Sequence, residues 1–229
     1  MSIADNLAAV RARIDAACLR AGREPASVRL LPVSKTRPAA DVLAAHEAGA
    51  VRFGENRVQE AWGKARELAE AGVEWAIIGH LQVNKAKVVA GFASEFQALD
   101  SLEVAAELDK RLQAAGRQLD VLIQVNSSAE ATKSGLRPDD VVAFAASLTP
   151  FDALRVRGLM TIALPSDDPA LVAPCFDIMT TLQARLRDAA APGQCYDELS
   201  MGMSGDFELA IEHGATVVRV GTAIFGARG

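Results

Sequence analysis

The sequence has no surplus of positive charge. Its 24 lysines and arginines are outnumbered by 29 aspartates and glutamates, which gives the 229-residue chain a formal net charge of −5. A protein that binds the phosphate backbone of nucleic acid needs a concentrated basic face. We therefore expect no nucleic-acid partner.

Cysteines are few, and their spacing argues against two common uses. Cys18, Cys175 and Cys195 are far apart and form no Cys-x-x-Cys motif, whereas zinc sites and redox pairs need closely spaced thiols. An odd, scattered set fits a reducing compartment. The composition therefore predicts a cytoplasmic protein, and no metal site is expected.

The sequence also lacks a hydrophobic run long enough to cross a membrane. Its N-terminal segment places apolar residues from Ile3 to Cys18 at helical spacing, but charged residues interrupt the series. This pattern is typical of an amphipathic helix in a globular protein and not of a signal peptide. We expect no membrane partner.

What the sequence does contain is one repeated pattern, a helix stop followed at once by a short apolar run. Glycine is the usual stop because it adopts the left-handed conformation at little cost. The predicted stops are Gly22, Gly49, Gly72, Gly91, Gly116, Pro150, Gly193 and Gly214. The predicted strands begin at Arg29, Val51, Trp75, Phe96, Asp120, Leu154, Tyr196 and Thr216.

Strict alternation of strands with helix-length segments predicts a parallel α/β fold. Eight units with no remainder favour a closed (β/α)8 TIM barrel with an extra N-terminal helix. An open Rossmann-like sheet is the alternative, but no G-x-G-x-x-G motif follows the first strand. Pro32 weakens the expected pairing of that strand because proline cannot donate to a ladder. Since no linker divides the chain, we expect residues 1–229 to form one domain.

Functional residues of such barrels follow the carboxyl ends of the strands. Lys35 ends the first strand, and alternation places it on the same side as Leu31 and Val33. An amine at an apolar barrel mouth loses hydration, which leaves its lone pair free to attack an aldehyde. A solvated lysine at the rim is the alternative, and the neighbouring residues must decide.

Two loops near the C-terminus predict an anion site. Ser204 is expected to cap a helix N-terminus after the seventh strand, and Gly221 and Thr222 offer amides and a hydroxyl after the eighth. Barrels commonly hold phosphate in these two loops. Ordinary caps and turns would explain each loop separately but not their coincidence.

Arg219 is expected to point into the barrel mouth because its neighbours Val218 and Val220 face the other side. A buried arginine keeps its charge and needs acceptors. A pyridine nitrogen would serve, and so would a carboxylate in a structural salt bridge. Arg219 by itself does not decide between these two acceptors.

No histidine is predicted to be a catalytic base. His80 has no partner in view, and His46 and His213 fall late in helices, where we expect them to contact carbonyls at the helix ends. By composition, Asn56 is predicted to cap a helix.

Six motifs together resemble a known family, the pyridoxal phosphate homeostasis proteins, which are similar to the barrel domain of bacterial alanine racemase. They run in order from about Leu31 to Arg228 and read VSKTRP, FGENRVQE, IIGHLQVNK, VLIQVNSSAEATKSGL, RGLMTIA and LSMGMSGDFELAIEHGATVVRVGTAIFGAR.

The resemblance implies a pyridoxal 5'-phosphate site. Lys35 matches the lysine that bonds covalently to the cofactor, and Arg219 matches the partner of the pyridine nitrogen. Ser204, Gly221 and Thr222 match phosphate contacts. Residues in motifs that line the cofactor are Asn56, Met160, Ser200 and Met201.

The resemblance further implies a protein that buffers and carries the cofactor without robust turnover. Apo-enzymes that use the cofactor are the expected recipients, and the expected state is a monomer or weak dimer. The only tyrosine, Tyr196, begins the seventh strand, at the wrong end of the barrel for the second base of a racemase.

Two other functions stay open at this point. A small pyridoxal phosphate-dependent racemase or aldolase acting on amino acids would need an acid or base opposite Lys35, with His80 or Cys195 as candidates. A Schiff-base aldolase acting on a sugar phosphate would leave Arg219 without a role. Competing amines are Lys85, Lys87 and Lys133.

Overall fold

The computed structural model describes residues 2–130, 134–190 and 194–226. Within them, eight strands alternate with helices. The strands are β1 (Arg29–Pro32), β2 (Arg52–Glu55), β3 (Glu74–Ile77), β4 (Glu95–Leu99), β5 (Leu119–Val125), β6 (Leu154–Thr161), β7 (Glu198–Ser200) and β8 (Val217–Val220).

The strands form one parallel sheet in the order β1-β8-β7-β6-β5-β4-β3-β2. A parallel bridge between Val33 and Gly54 joins β1 to β2 and closes the barrel. Pro32 pairs in register with Val220, and the ladder continues because the Val33 amide donates to the Val220 carbonyl at 2.9 Å. The predicted TIM barrel is therefore confirmed.

Helices surround the barrel. They are α1 (Ile3–Arg20), α2 (Ala39–Glu47), α3 (Val58–Glu67), α4 (Ala86–Phe92), α5 (Leu102–Ala114), α6 (Val141–Ser147), α7 (Pro169–Asp188), α8 (Phe207–Glu212) and α9 (Thr222–Phe225). As predicted, α1 is amphipathic, and its buried face runs from Leu7 to Cys18. Three details differ: α4 continues through Gly91, β7 begins at Glu198 and not at Tyr196, and α9 is an unpredicted helix directly after β8. The predicted stop at Gly193 lies outside the described residues.

None of the helices in these described ranges combines the length and hydropathy that a bilayer crossing requires. The described parts of the chain likewise contain no cluster of three side chains suited to holding a metal ion.

The amino end of the barrel holds a buried carboxylate among arginines. Glu95 is 1% exposed and accepts hydrogen bonds from Arg29, at 2.9 Å, and from Arg52. Arg29 also donates to Glu198 at 3.0 Å, and Arg52 donates to Glu74 at 2.8 Å. Charges at this end are thus compensated in pairs.

Candidate functional site

A cavity of about 210 Å³ opens at the carboxyl ends of the strands. Its wall combines apolar side chains, such as Val33 and Ile78, with polar groups from four strand-following loops. Six of the predicted site residues line it: Lys35, Asn56, Ser204, Arg219, Gly221 and Thr222.

Lys35 lies in the loop after β1, and its surroundings differ from the expectation. The amine was predicted to be dehydrated, but Lys35 is exposed. The reason is that β1 ends at Pro32 and the last bridge is at Val33, so Lys35 already belongs to a tight turn. Within the described chain, its side chain has no hydrogen bond or ion pair, and it is therefore available to a ligand in the cavity.

Arg219 lies on β8, the neighbour of β1 in the sheet, lines the same cavity and is 4% exposed. Its guanidinium donates to the Ser200 hydroxyl at 2.8 Å and to the Thr161 carbonyl at 2.7 Å. Both acceptors are neutral, and no carboxylate of the described chain pairs with it. Burial lowers the pKa of Arg219 to about 10, and the charge of Asp206 offsets only part of that effect. The salt-bridge alternative for Arg219 finds no partner in the described ranges.

The contacts of Arg219 continue through the barrel interior. The Ser200 hydroxyl donates to the side-chain carbonyl of Gln97 at 2.7 Å, and the Gln97 amide donates to Glu95. β4 and β7 are not neighbours in the sheet, so the contact between Gln97 and Ser200 crosses the interior. A continuous hydrogen-bonded series therefore joins Arg219 to the ion pairs at the amino end.

The loops after β7 and β8 present free backbone donors. Among the described residues, the amides of Ser204, Gly205, Gly221, Thr222 and Ala223 have no carbonyl acceptor. Such groups, with the adjacent hydroxyls, suit a phosphate oxygen. A side chain at Gly221 would come within 3.0 Å of the Val33 carbonyl, so only glycine keeps this wall of the cavity unchanged.

The predicted helix caps were displaced by one or two residues. Asp206, and not Ser204, occupies the cap position of α8, and its carboxylate accepts from the amide of the preceding Met203 at 2.6 Å. Arg57 occupies the cap position of α3 in place of Asn56. Asn56 instead lines the cavity, where Gly79 packs against its backbone so closely that a Cβ would lie 2.3 Å from the Asn56 carbonyl.

Three predicted residues lie behind the cavity wall. Met160, Ser200 and Met201 are fully buried and are not among the residues that line it. Ser200 reaches the site through its hydrogen bond to Arg219. Neither Lys85 nor Lys87 lines the cavity, and Lys133 lies outside the described residues.

The structure agrees with the prediction for His46 and disagrees with the prediction for His213. His46 Nδ1 contacts the Ala50 carbonyl at 2.7 Å, as expected. The prediction for His213 was wrong, because its Nδ1 lies 2.6 Å from the Asp177 carboxylate on α7. His80 is exposed and lines a smaller adjoining cavity with Gln124.

A buried ion-paired group beside Lys35 was not predicted. Glu55 and Lys64 are 0% and 7% exposed, and the Lys64 amine lies 2.6 Å from Glu55 and 2.8 Å from Glu60. Burial raises the pKa of Glu55, and hydrogen bonds from Lys64 and Ser34 oppose the rise. The sequence did contain an indication of this group, because Lys64 falls at helical spacing with the apolar Ala61, which predicts a lysine on the buried face.

Comparisons with known proteins identify the family. The model of the family described as alanine racemase, N-terminal domain, matches residues 6–229. The pyridoxal phosphate homeostasis protein of Pseudomonas aeruginosa is 46% identical over 228 residues, covering 99% of this chain and 96% of that protein. This chain belongs to the pyridoxal phosphate homeostasis protein family.

Solved structures of the same family share the fold. PipY of Synechococcus elongatus without pyridoxal phosphate has a TM-score of 0.87 and 38% identity, over 98% of this chain and 100% of that one. PipY with pyridoxal phosphate bound has a TM-score of 0.84 and 36% identity over the same shares.

The cavity of this family member fits the cofactor's functional groups. The free amides and hydroxyls of the β7 and β8 loops suit a phosphate, the buried guanidinium of Arg219 suits a ring nitrogen that accepts, and the amine of Lys35 suits an aldehyde. A purely structural role does not explain why Arg219 keeps a buried positive charge without a carboxylate partner in the described chain.

Proposed function

We propose that this protein holds pyridoxal 5'-phosphate covalently on Lys35 and takes part in the homeostasis of the cofactor in the cytoplasm. The observation that carries the proposal is Arg219, a buried guanidinium that lines the cavity and has only neutral acceptors in the described chain. A ligand with an electron-rich ring nitrogen satisfies it at no further desolvation cost.

The proposed roles follow from the donor set. Ser204, Gly221 and Thr222 bind the phosphate through amides and hydroxyls, and Arg219 donates to the pyridine nitrogen. The cofactor contributes an aldehyde that reacts with primary amines. Lys35 Nζ forms the bond to the aldehyde carbon, and one water is released. The remaining contacts that we propose are Asn56, Met160, Ser200 and Met201, the last three acting from behind the cavity wall.

An arginine in this role keeps the ring nitrogen unprotonated and weakens the ring as an electron sink. This supports a carrier and buffer of the cofactor over an enzyme that turns over amino acids. We propose that residues 1–229 act as one cofactor-binding unit, as a monomer or weak dimer, and that apo-enzymes are the recipients. A sugar phosphate offers no ring nitrogen that could accept a hydrogen bond from Arg219, and this disfavours a sugar-phosphate aldolase.

The test is the absorbance spectrum of the purified protein incubated with pyridoxal phosphate, compared with Lys35→Ala. Borohydride reduction and mass spectrometry of the peptides then locate the adduct. We expect a visible band in the wild type, a reduced adduct on Lys35, and no band in the variant. Lys110→Ala is the matched control, since Lys110 is exposed on α5, and it should retain the band.

Other outcomes overturn parts of the proposal. An adduct on Lys133 would keep the cofactor but remove Lys35 from its role. A wild-type protein that forms no band at saturating pyridoxal phosphate would exclude the cofactor. Rapid racemisation or cleavage of amino acids by the loaded protein would replace the carrier with an enzyme.

A further inference from the structure

The turn that carries Lys35 has an unusual backbone. The Arg37 amide donates to the Ser34 carbonyl at 3.0 Å, so Lys35 and Thr36 are the two central residues of a β-turn. Thr36 has φ of 64°. Glycine or asparagine usually occupies such a position, and a β-branched residue is strained there. Strained conformations persist only where the surroundings hold them in place.

Two side chains of α3 hold this turn on both sides of Lys35. The Thr36 amide donates to Glu60 Oε1 at 2.5 Å, and Lys64 Nζ donates to the Ser34 carbonyl at 2.7 Å. Glu60 and Lys64 are one helical turn apart and form an ion pair. The flanking residues of Lys35 are thus attached to one rigid helix.

The third member is Glu55, at the end of β2. Its Oε1 accepts from Lys64 Nζ at 2.6 Å and from the Ser34 hydroxyl at 2.7 Å. Lys64 can donate three hydrogen bonds, and Ser34, Glu55 and Glu60 accept all three. The ammonium of Lys64 is therefore fully committed to this arrangement.

The cost of this arrangement indicates that it does more than pack. A buried Lys–Glu pair recovers its desolvation penalty only with good geometry, and apolar replacements are often as stable. Glu55 Oε2 is moreover buried without a partner among the described residues. Among the described residues, the side-chain hydrogen bonds that leave the group all end on Ser34 or Thr36, in the turn that contains Lys35.

We infer that Glu60, Lys64 and Glu55 form a positioning group that fixes the Ser34–Arg37 turn and so presents the Lys35 amine to the cavity. The inference rests on the proposed covalent role of Lys35. In the described parts of the chain, the side chains of the group form no hydrogen bond with the phosphate-facing residues Ser204, Gly221 and Thr222. Its loss therefore slows bond formation at Lys35 and leaves non-covalent binding of the ligand unchanged.

The experiment compares Glu60→Ala with Glu60→Gln. Glutamine keeps a carbonyl oxygen that accepts from the Thr36 amide, and alanine does not. Stopped-flow absorbance with pyridoxal phosphate measures covalent capture. Calorimetry with pyridoxine phosphate, which has the same ring and phosphate but no aldehyde, measures binding without capture. Glu67→Ala is the matched control, since Glu67 is an exposed acid at the end of the same helix.

We expect Glu60→Ala to slow capture about tenfold or more, since small misplacements of a reacting group have effects of this size or larger. Its affinity for pyridoxine phosphate should stay within about twofold of the wild type. Glu60→Gln should recover most of the capture rate, and Glu67→Ala should match the wild type. Lys64→Met provides a second test by removing the bond to Ser34.

Two results would overturn the inference. One is wild-type capture in both Glu60→Ala and Lys64→Met. The other is an equal loss of capture and of pyridoxine phosphate affinity, which would indicate general damage to the site. Failure of the proposed function is distinct, because the wild-type protein would then form no adduct on Lys35.

Discussion

Arginines lie at both ends of the barrel, partly buried at the amino end and fully buried at the carboxyl end, and their electrostatic surroundings are opposite. At the amino end, burial by itself would lower the pKa of Arg52, but the charge of Glu95 and the hydrogen bonds with Glu74 and Glu95 raise it overall. At the carboxyl end, burial lowers the pKa of Arg219 to about 10, since its acceptors are a hydroxyl and a backbone carbonyl.

The difference separates charges that carboxylates of the protein compensate from one that has only neutral acceptors in the described chain. Arg29 and Arg52 share Glu95, and Arg29 also pairs with Glu198 and Arg52 with Glu74, so each of their charges is compensated by carboxylates of the protein. Arg219 has an incomplete set of partners at a cavity wall. An uncompensated buried charge is costly, and perturbed pKa values cluster at functional sites.

The largest effect on the free energy of unfolding is expected at the amino end of the barrel, where carboxylates compensate the arginines. Glu95→Ala removes the shared carboxylate and leaves Arg29 and Arg52 close together, which should lower the free energy of unfolding by about 3–5 kcal/mol. Urea denaturation measures the change. Asp140→Ala, which breaks the exposed pair with Arg137, is the control and should leave the free energy of unfolding close to that of the wild type, because exposed ion pairs contribute little. Similar losses for the two variants would mean that the amino-end ion pairs contribute little to stability.

The next largest effect is expected at the carboxyl end, where Arg219 has no carboxylate partner in the described chain, and it should be measurable only when ligand is present. Arg219→Met removes a desolvated charge, so the free energy of unfolding without ligand should change by less than about 1.5 kcal/mol. Pyridoxal phosphate at one hundred times its dissociation constant should stabilise the wild type by about 2.7 kcal/mol, and the variant much less at the same concentration.

Thermal or urea unfolding with and without pyridoxal phosphate checks this. Arg155→Met, at an exposed pair with Asp120 on the amino side, should keep the full ligand-dependent increment. An Arg219→Met protein that keeps the increment would remove the distinction between the two ends.

The smallest effect concerns the buried carboxylate near Lys35. Burial raises the folded-state pKa of Glu55 above the ordinary value of 4.5, so folding favours its protonated form. The stabilisation from this group is then fully present below pH 4.5 and is lost as pH rises through the folded-state pKa.

Urea unfolding of the wild type and of Glu55→Gln across this pH range measures the effect. The stability of the wild type relative to the variant should fall with rising pH. Glu67→Gln, at an exposed position, should show no such trend relative to the wild type. A relative stability that rises with pH would contradict the direction of the pKa shift.

The strands and Arg219 could be predicted because both follow from local pattern. Each strand is a short apolar run after a helix, and alternation along β8 was enough to direct Arg219 inward. The exposure of Lys35 could not be predicted, because β1 ends at Pro32 and the chain then enters a turn in which Thr36 has a positive φ, which is atypical for a threonine. The contacts of Lys64 join residues of the turn after β1, of β2 and of α3, and sequence spacing within one helix cannot supply them.

The exact residue at which a helix begins could not be predicted from the sequence either. Ser204 and Asn56 are good capping residues, but the structure uses Asp206 and Arg57 at the cap positions. The two loops therefore leave Ser204 and Asn56 free to line the cavity. Competing caps within two residues of each other are not distinguished by composition alone.

The pairing of β1 has a consequence for the order in which the protein is made. β1 pairs with β8 through four successive residues, from Arg29 with Val217 to Pro32 with Val220, whereas a single bridge connects it to β2. A ribosome releases β1 early and β8 nearly 190 residues later, so a nascent chain has Lys35 long before it has Arg219. The barrel, and with it the cavity that both residues line, is completed only when that late strand emerges.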